Sequence, residues 1–160
     1  MIKYEMVKLM KVVVTSDAHG NIRLLKKIAE INNDADLFID AGDSERCEED
    51  ILPFKSVRGN WDYLIKNPFR VDTLEGVTLY TTHGSGFLFN LNHLVKMANE
   101  FNANIAIFGH THMPLVQLID GVLVINPGSV SIPRRCAPSY AIVTFTNTHD
   151  IKAEIKEIKF

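Results

Sequence analysis

The sequence predicts an α/β protein, a four-layer α/β/β/α sandwich of two mixed sheets flanked by helices. Its first half reads as strand, helix, strand, and its strands are continuous apolar runs, which is typical of a parallel sheet. Its second half contains two pairs of strands around short turns, which is typical of hairpins. Because each sheet must bury a face, two packed sheets with helices outside are the simplest architecture.

In the first half, the apolar runs predict strands over residues 11–15, 36–40 and 54–57. A helix is predicted over about residues 21–32, where apolar residues recur at helical spacing. Pro68 ends any helix that follows Asp62, because proline disrupts a helix interior.

In the second half, the predicted elements alternate between hairpins and one helix. They are a hairpin of 71–74 and 77–82, a helix over 90–101, a strand over 105–108, a hairpin of 115–119 and 122–125, and strands over 140–146 and 151–158.

Length and composition favour one domain over residues 1–160, with residues 1–9 as a candidate N-terminal appendage to the first strand. No apolar run suits a membrane span or a signal peptide, and a net charge of -2 indicates no nucleic-acid-binding surface. The two cysteines, Cys47 and Cys136, do not form a Cys-x-x-Cys pair. We therefore expect a cytoplasmic protein without disulfides.

Five predicted strand ends carry residues that bind metal ions in other proteins. The candidate metal ligands are Asp17, His19, Asp43, Asn60, His83, His110 and His112. Ligands gather at the carboxyl ends of strands in open α/β sheets, and Gly109 would allow the kink that turns both His110 and His112 toward one point. Each residue alone could equally be a cap or turn residue, but five such strand ends together favour a metal centre.

The kinds of ligand and their number restrict the metal. Oxygen and imidazole ligands without cysteine suit Mn²⁺, Ni²⁺, Zn²⁺ or Fe, of which we expect Mn²⁺ or Ni²⁺. Seven ligands exceed one tetrahedral site and suit two ions about 3.5–4 Å apart, an arrangement used for phosphate-ester hydrolysis. Such ions lower the pKa of a bridging water and clamp the phosphate oxygens during in-line attack.

These motifs resemble, in order and spacing, those of the calcineurin-like metallophosphoesterases. The matching motifs are Asp17-x-His19, Gly42-Asp43, Gly59-Asn60-x-Asp62, His83-Gly84 and Gly109-His110-x-His112. The short chain and the segment Asn126-Pro127-Gly128-Ser129 resemble the small prokaryotic phosphodiesterase branch. The resemblance implies that Asp43 bridges two ions, with Asp17, His19 and His112 at one ion and Asn60, His83 and His110 at the other.

The resemblance also implies a catalytic set, Asp17, His19, Asp43, Asn60 and Asp62. The chain departs from the family at two positions, Trp61 and Ser85, the second of which is often a histidine in relatives. Related phosphatases carry at the position of Trp61 a histidine that lies near the leaving group and pairs with the following aspartate. Trp61 cannot donate a proton, so Asp62 lacks that partner, and we expect a preference for small phosphodiesters with acidic leaving groups.

Four questions stay open at the level of sequence. The retromer subunit of this fold works as an interaction scaffold, so a weakly active or inactive scaffold is the alternative function. The sequence also leaves open the physiological substrate, homo-oligomerisation, and whether Arg58, Arg134 and Arg135 contact substrate or lie in solvent.

Overall fold

The computed structural model describes residues 5–86 and 90–160, in which ten strands and two helices lie where the sequence predicts them. The strands are β1 (Met10–Thr15), β2 (Leu37–Asp40), β3 (Lys55–Ser56), β4 (Phe69–Leu74), β5 (Val77–Thr82), β6 (Ile105–Ile107), β7 (Leu115–Ile119), β8 (Val122–Asn126), β9 (Ser139–Phe145) and β10 (Lys152–Glu157). The helices are α1 (Ile22–Ile31), which Asn21 caps, and α2 (Leu91–Asn99). A short 3₁₀ helix, Glu48–Ile51, was not predicted.

The strands form two five-stranded mixed sheets. The first has the order β10-β9-β1-β2-β3, with β1, β2 and β3 parallel and β9 antiparallel to β1. The second has the order β4-β5-β6-β8-β7, with β5, β6 and β8 parallel and antiparallel strands at both edges. The two mixed sheets that the sequence predicts are confirmed.

Alternating side chains on the strands separate three apolar cores. On β1, Val12 and Val14 pack with strands of the second sheet in the core between the sheets, whereas Val13 packs with Leu25 and Ile28 of α1. The outer face of the second sheet packs against α2. Each buried side chain of this kind contributes about 1.5–3 kcal/mol. The layer order is therefore helix, sheet, sheet, helix, as predicted.

The parallel strands of both sheets bring their carboxyl ends to one region. The loop after β1 bonds to the loop after β2, because the Asp17 N–H donates to the Gly42 carbonyl at 2.9 Å. The loop after β6 bonds to the loop after β5, because the Gly109 N–H donates to the His83 carbonyl at 3.0 Å. These bonds fix the loops that carry the predicted ligands.

Residues 5–9 are exposed, and Lys8 forms an ion pair with Asp36. Residues 1–4 of the candidate appendage lie outside the described residues, and its separate status stays a prediction. Within the described ranges, neither helix has the length and apolar character that crossing a membrane requires.

Candidate metal centre

Five of the predicted ligands form two overlapping clusters. Asp17, His19 and His112 form one, and Asp17, Asp43 and His83 form the other; within each, the ligand atoms lie within 4.8 Å of one another. Asp17 Oδ1 lies 3.2 Å from His112 Nε2 and 3.9 Å from His83 Nε2. The first cluster contains the three residues that the resemblance assigns to one ion.

The backbone at these residues is strained. Asp17, His19, Asp43, His110 and His112 all have positive φ angles, between 44° and 65°. A non-glycine residue in this region costs of order 1–3 kcal/mol, and such residues concentrate at functional sites. The surrounding fold therefore holds five of the seven predicted ligands in conformations that they would not adopt alone.

Gly109 has a different role from the one that the sequence predicts. Its φ lies outside the left-handed region, and the kinks occur at His110 and His112 themselves, so the predicted kink at Gly109 is wrong. A Cβ atom at Gly109 would lie 1.9 Å from Ser16 Oγ and 2.8 Å from Asp17 Oδ2. Glycine is therefore required because two ligand loops pass too closely for a side chain.

Three of the histidines are oriented by hydrogen bonds from the ring nitrogen that faces away from the clusters. His83 Nδ1 lies 2.7 Å from the Ala41 carbonyl, and His112 Nδ1 lies 2.6 Å from the Ile132 carbonyl. Because a carbonyl only accepts, Nδ1 carries the proton in both rings. Metal-binding histidines commonly bond to an outer acceptor in this way, which leaves Nε2 for the ion.

His19 is oriented by a residue that the sequence analysis missed. Its Nδ1 lies 2.6 Å from the carboxylate oxygen Oε1 of Glu45, which leaves its Nε2 near Asp17 and His112. A carboxylate in this position fixes the orientation of the ring. The position of Glu45, two residues after Asp43, is the only sequence signal for it.

The electrostatics of the clusters suit bound cations. Burial opposes charge on His83, but the nearby Asp43 and Asp17 carboxylates raise its pKa to about 9. The Asp17 carboxylate, 3.2 Å from the ring, raises the pKa of His112, and for Asp43 the nearby His83 outweighs burial and lowers the pKa. The carboxylates of Asp17 and Asp43 therefore favour positive charge between them.

Two ligand atoms provide a direct test of whether a metal ion fits. Among the described residues, Asp17 Oδ1 and His83 Nε2 are buried without a well-aligned hydrogen bond, although His112 Nε2 and Asp43 Oδ2, respectively, lie 3.2 Å from them. An unpaired buried polar atom is costly, and it is rare in folded proteins unless an ion or water completes it. The residues therefore fit a divalent ion held by oxygen and imidazole ligands.

A cavity of about 770 Å³ opens onto the clusters. It is lined by His19, Asp43, Glu45, Asn60, Trp61, Tyr63, His110, His112, Ile132 and Arg134. Asn60 and His110, the two predicted ligands outside the clusters, thus face the same space, and the His110 ring lies 5.3 Å from the His83 ring. Their coordination of an ion stays a prediction.

Comparison with known proteins agrees with this geometry. The family model of the calcineurin-like phosphoesterase superfamily domain matches residues 10–148. The chain belongs to this superfamily. The metallophosphoesterase fold that the sequence predicts is therefore confirmed.

Relatives and solved structures of the superfamily resemble the chain over most of its length. The probable metallophosphoesterase YsnB of Bacillus subtilis is 35% identical over 146 residues, which cover 86% of each chain. Phosphodiesterase YfcE of Escherichia coli K12 is 27% identical over 82% of this chain and 85% of its own. A predicted phosphoesterase from Streptococcus pneumoniae TIGR4 has a TM-score of 0.84 at 28% identity, over 95% of this chain and 91% of its own.

A solved structure of lower sequence identity shares the fold as well. The zinc complex of Vps29 from Entamoeba histolytica has a TM-score of 0.71 at 18% identity, over 92% of this chain and 99% of its own. At this identity the likeness concerns the fold alone.

Asp62 lies beneath the phosphoesterase centre. It is buried, and its carboxylate accepts hydrogen bonds from the backbone N–H groups of Asp43 and Gly59, both at 2.7 Å, and of Glu45 at 2.8 Å. The structure thus places Asp62 as a support for the loop that carries Asp43 and Glu45. A direct part in catalysis stays a prediction.

The segment Asn126-Pro127-Gly128-Ser129, at the end of β8 in the second sheet, supports the loops that carry the predicted ligands. The Asn126 side-chain amide donates to the Gly109 carbonyl at 2.8 Å, and the Ser129 hydroxyl donates to the Asp17 carbonyl at 2.8 Å. Both residues are fully buried. They hold two ligand loops in place, a role that the sequence alone did not assign.

The arginines that the sequence left open lie in different places. Arg134 lines the 770 Å³ cavity, whereas Arg58 lines a separate cavity of about 270 Å³ that His83 also lines. Arg135 lies on the exposed surface. Arg134 is therefore the arginine that the structure brings to the centre.

Asp40 is a buried acid beside the centre that the sequence analysis did not single out. It accepts hydrogen bonds from Thr15 Oγ1, Ser56 Oγ and the Gly42 N–H at 2.9–3.0 Å. Burial nevertheless outweighs these bonds and raises the pKa of Asp40 to about 7. An unfolded aspartate has a pKa near 4, so the folded protein keeps this proton up to a higher pH.

We expect Asp40→Asn to change how stability depends on pH. The stabilising effect of the raised pKa is complete below about pH 4 and is lost as the pH rises toward 7, because the unfolded chain releases the proton first. From pH 5 to pH 8, the free energy of unfolding of the wild type should fall by roughly 2–3 kcal/mol more than that of Asp40→Asn. Urea unfolding of the chelator-treated proteins at both pH values measures this difference.

The exposed Asp120, in the turn between β7 and β8, provides the control. Asp120→Asn should follow the wild type at both pH values. Equal pH dependence of the wild type and Asp40→Asn would contradict the raised pKa.

Proposed function

We propose that the chain is a phosphodiesterase that works with two divalent metal ions. The observation that carries this proposal is the pair of overlapping clusters, in which Asp17 Oδ1 and His83 Nε2 are buried without a well-aligned hydrogen bond, beside a cavity large enough for a small ester. A relative named as a phosphodiesterase, YfcE, supports the reaction class. The chemical class of the substrate is a small phosphodiester.

The ligands divide between the two ions as follows. Asp17, His19 and His112 would hold one ion, and Asn60, His83 and His110 the other, with Asp43 between them. We expect Mn²⁺ or Ni²⁺, and Zn²⁺ or Fe would also suit these ligands. When bound, such ions lower the pKa of a coordinated water and offset the negative charge of the phosphate.

The residues of the chain orient the ligands and limit the choice of leaving group. Glu45 and the carbonyls of Ala41 and Ile132 fix three imidazoles with Nε2 inward. The Trp61 backbone N–H donates to Asp43 Oδ1 at 2.8 Å, so Asp43 Oδ1 is fixed in position. The Trp61 side chain cannot protonate a departing alkoxide, so esters with acidic leaving groups should react best.

The scaffold alternative makes a different demand on these residues. An interaction surface gains nothing from five strained ligand residues and unpaired buried atoms, which cost folding free energy. These features favour the enzyme. A scaffold would bind no metal, or bind it without turnover.

The test combines metal content with activity. The full chain is stripped with chelator, reloaded with Mn²⁺ or Ni²⁺, and assayed with an aryl phosphodiester beside the matching monoester. We expect near two ions per chain, metal-dependent cleavage of the diester in preference to the monoester, and loss of that cleavage in Asp43→Asn, with Asp120→Asn as the active control.

The contrary results separate the alternatives. Metal binding without cleavage of either ester would favour a metal-stabilised scaffold. Neither metal binding nor cleavage, from a protein that unfolds cooperatively, would exclude the proposed enzyme.

A further inference from the structure

Exposed aromatic side chains line the cavity beside the clusters, and the proposed chemistry does not use them. The side chains of Trp61 and Tyr63 are 58% and 84% exposed, although both are large. They belong to the loop after β3, and Ile132 and Arg134, from the loop after β8, line the same cavity. Exposed aromatic surface that adjoins a polar site is typical of a place where a ligand binds.

The loop that carries the aromatic rings is anchored at the metal centre. The Trp61 backbone N–H donates a hydrogen bond to Asp43 Oδ1. Asp62, which lies between the two aromatic residues in sequence, accepts hydrogen bonds from three backbone N–H groups. A ring at the end of such a rigid loop loses little conformational entropy when a ligand binds. The two rings are therefore suited to orient a substrate relative to the ions.

Arg134 adds a positive charge at the other side of the ligand set. Its backbone N–H donates to the His112 carbonyl at 3.2 Å, and its side chain lines the cavity. A guanidinium group can pair with phosphate oxygens or lie against an aromatic face. Aromatic rings, a cation and ligand residues in one cavity match a planar aromatic group linked to a phosphate.

We propose that Trp61 and Tyr63 form a subsite for a planar aromatic group of the diester, a nucleobase or an aryl ring, with Arg134 beside its phosphate. This inference rests on the proposed function and names its substrate class. It also gives Trp61 a role in place of the absent histidine: it selects the group that is attached to the phosphate.

Binding can be measured directly because Trp61 is the only tryptophan of the chain. Its fluorescence in the metal-loaded protein is followed, with excitation at the long-wavelength edge of tryptophan absorption, during titration with two pairs of monoesters. Adenosine monophosphate is compared with ribose 5-phosphate, and phenyl phosphate with methyl phosphate. We expect a saturable change in fluorescence with the aromatic member of at least one pair. The aromatic probe that binds more tightly shows whether the subsite prefers a nucleobase or an aryl ring.

Variants test whether the rings themselves provide the binding. Removal of an aromatic side chain that stacks on a base lowers the binding affinity about tenfold to a hundredfold. Calorimetric titration should show that Trp61→Ala and Tyr63→Ala each lower the affinity for the aromatic probe by that factor. Trp61→Phe and Tyr63→Phe should keep most of that affinity. The matched control is Leu64→Ala, because Leu64 is 67% exposed on the same loop and does not line the cavity.

The outcomes separate this inference from the proposed function. Equal affinity for aromatic and non-aromatic probes, with diester cleavage intact, would overturn the subsite and leave the phosphodiesterase standing. Selective binding of an aromatic probe without cleavage of any diester would support the subsite while the proposed reaction fails.

Discussion

Asp17→Asn should abolish both metal binding and phosphodiester hydrolysis, because Asp17 is the one residue that belongs to both clusters. Its Oδ1 atom accepts no well-aligned hydrogen bond, although His112 Nε2 lies 3.2 Å away, whereas Oδ2 accepts hydrogen bonds from Ser16 Oγ and the His110 N–H. Asparagine can keep the bonds to Oδ2 and replace the ligand atom by an amide nitrogen. We therefore expect loss of the ions with a retained fold.

The expected loss of activity is about a thousandfold or more. Removing the charge stabilisation that a metal ion provides costs several kcal/mol in the transition state, and each 1.4 kcal/mol or so is a factor of ten. Metal content after dialysis against Mn²⁺ and the rate of aryl diester cleavage are measured together, with thermal unfolding of the chelator-treated proteins as the check on folding.

Asp120→Asn is the matched control, since Asp120 is an exposed residue of a distant hairpin turn with the same charge. It should keep the metal content and the rate of the wild type. A fully active Asp17→Asn would show that the clusters are not the reaction centre.

The fold could be predicted from the sequence because its signals are local. Apolar runs such as Lys11–Thr15 and the helical spacing in 21–32 depend on residues close in the chain, and they located β1 and α1 to within a residue or two. The proximity of the candidate ligands in the two clusters could be predicted because each follows a strand, and parallel strands end at one edge. The 3₁₀ helix Glu48–Ile51 was missed because it has no periodic apolar signal.

The supporting residues could not be predicted because their contacts join distant parts of the chain. Glu45 reaches His19 across 26 residues, and Ser129 reaches the Asp17 carbonyl across 112 residues. The role of Gly109 was predicted wrongly for the same reason: the atoms that exclude a Cβ belong to Ser16 and Asp17. Backbone strain at the ligands likewise depends on tertiary contacts that hold it in place.

Asp62→Asn should lower the affinity for metal ions more than it lowers the rate of diester cleavage at saturating metal. One carboxylate oxygen accepts from both Asp43 and Gly59, and the other accepts from Glu45. An amide can replace only one of these oxygens as an acceptor, so at least one buried N–H loses its partner, at a cost of about 1–3 kcal/mol. The Asp43 and Glu45 loop then loosens, and metal affinity should fall about tenfold to a hundredfold.

Asp150→Asn is the control for the loss of charge at a turn aspartate, because the backbone N–H groups of Thr146 and Asn147 both donate to one oxygen, Oδ1, which asparagine keeps. It should keep the metal affinity of the wild type. Calorimetric titration with Mn²⁺ and the rate at saturating Mn²⁺ distinguish the two possible roles of Asp62. A rate that recovers with excess metal supports a positioning residue. A rate that stays low with normal metal affinity, and with an altered pH profile, would instead establish the direct catalytic role that the family resemblance implies, and Asp62 would then have to leave its three backbone partners during the reaction.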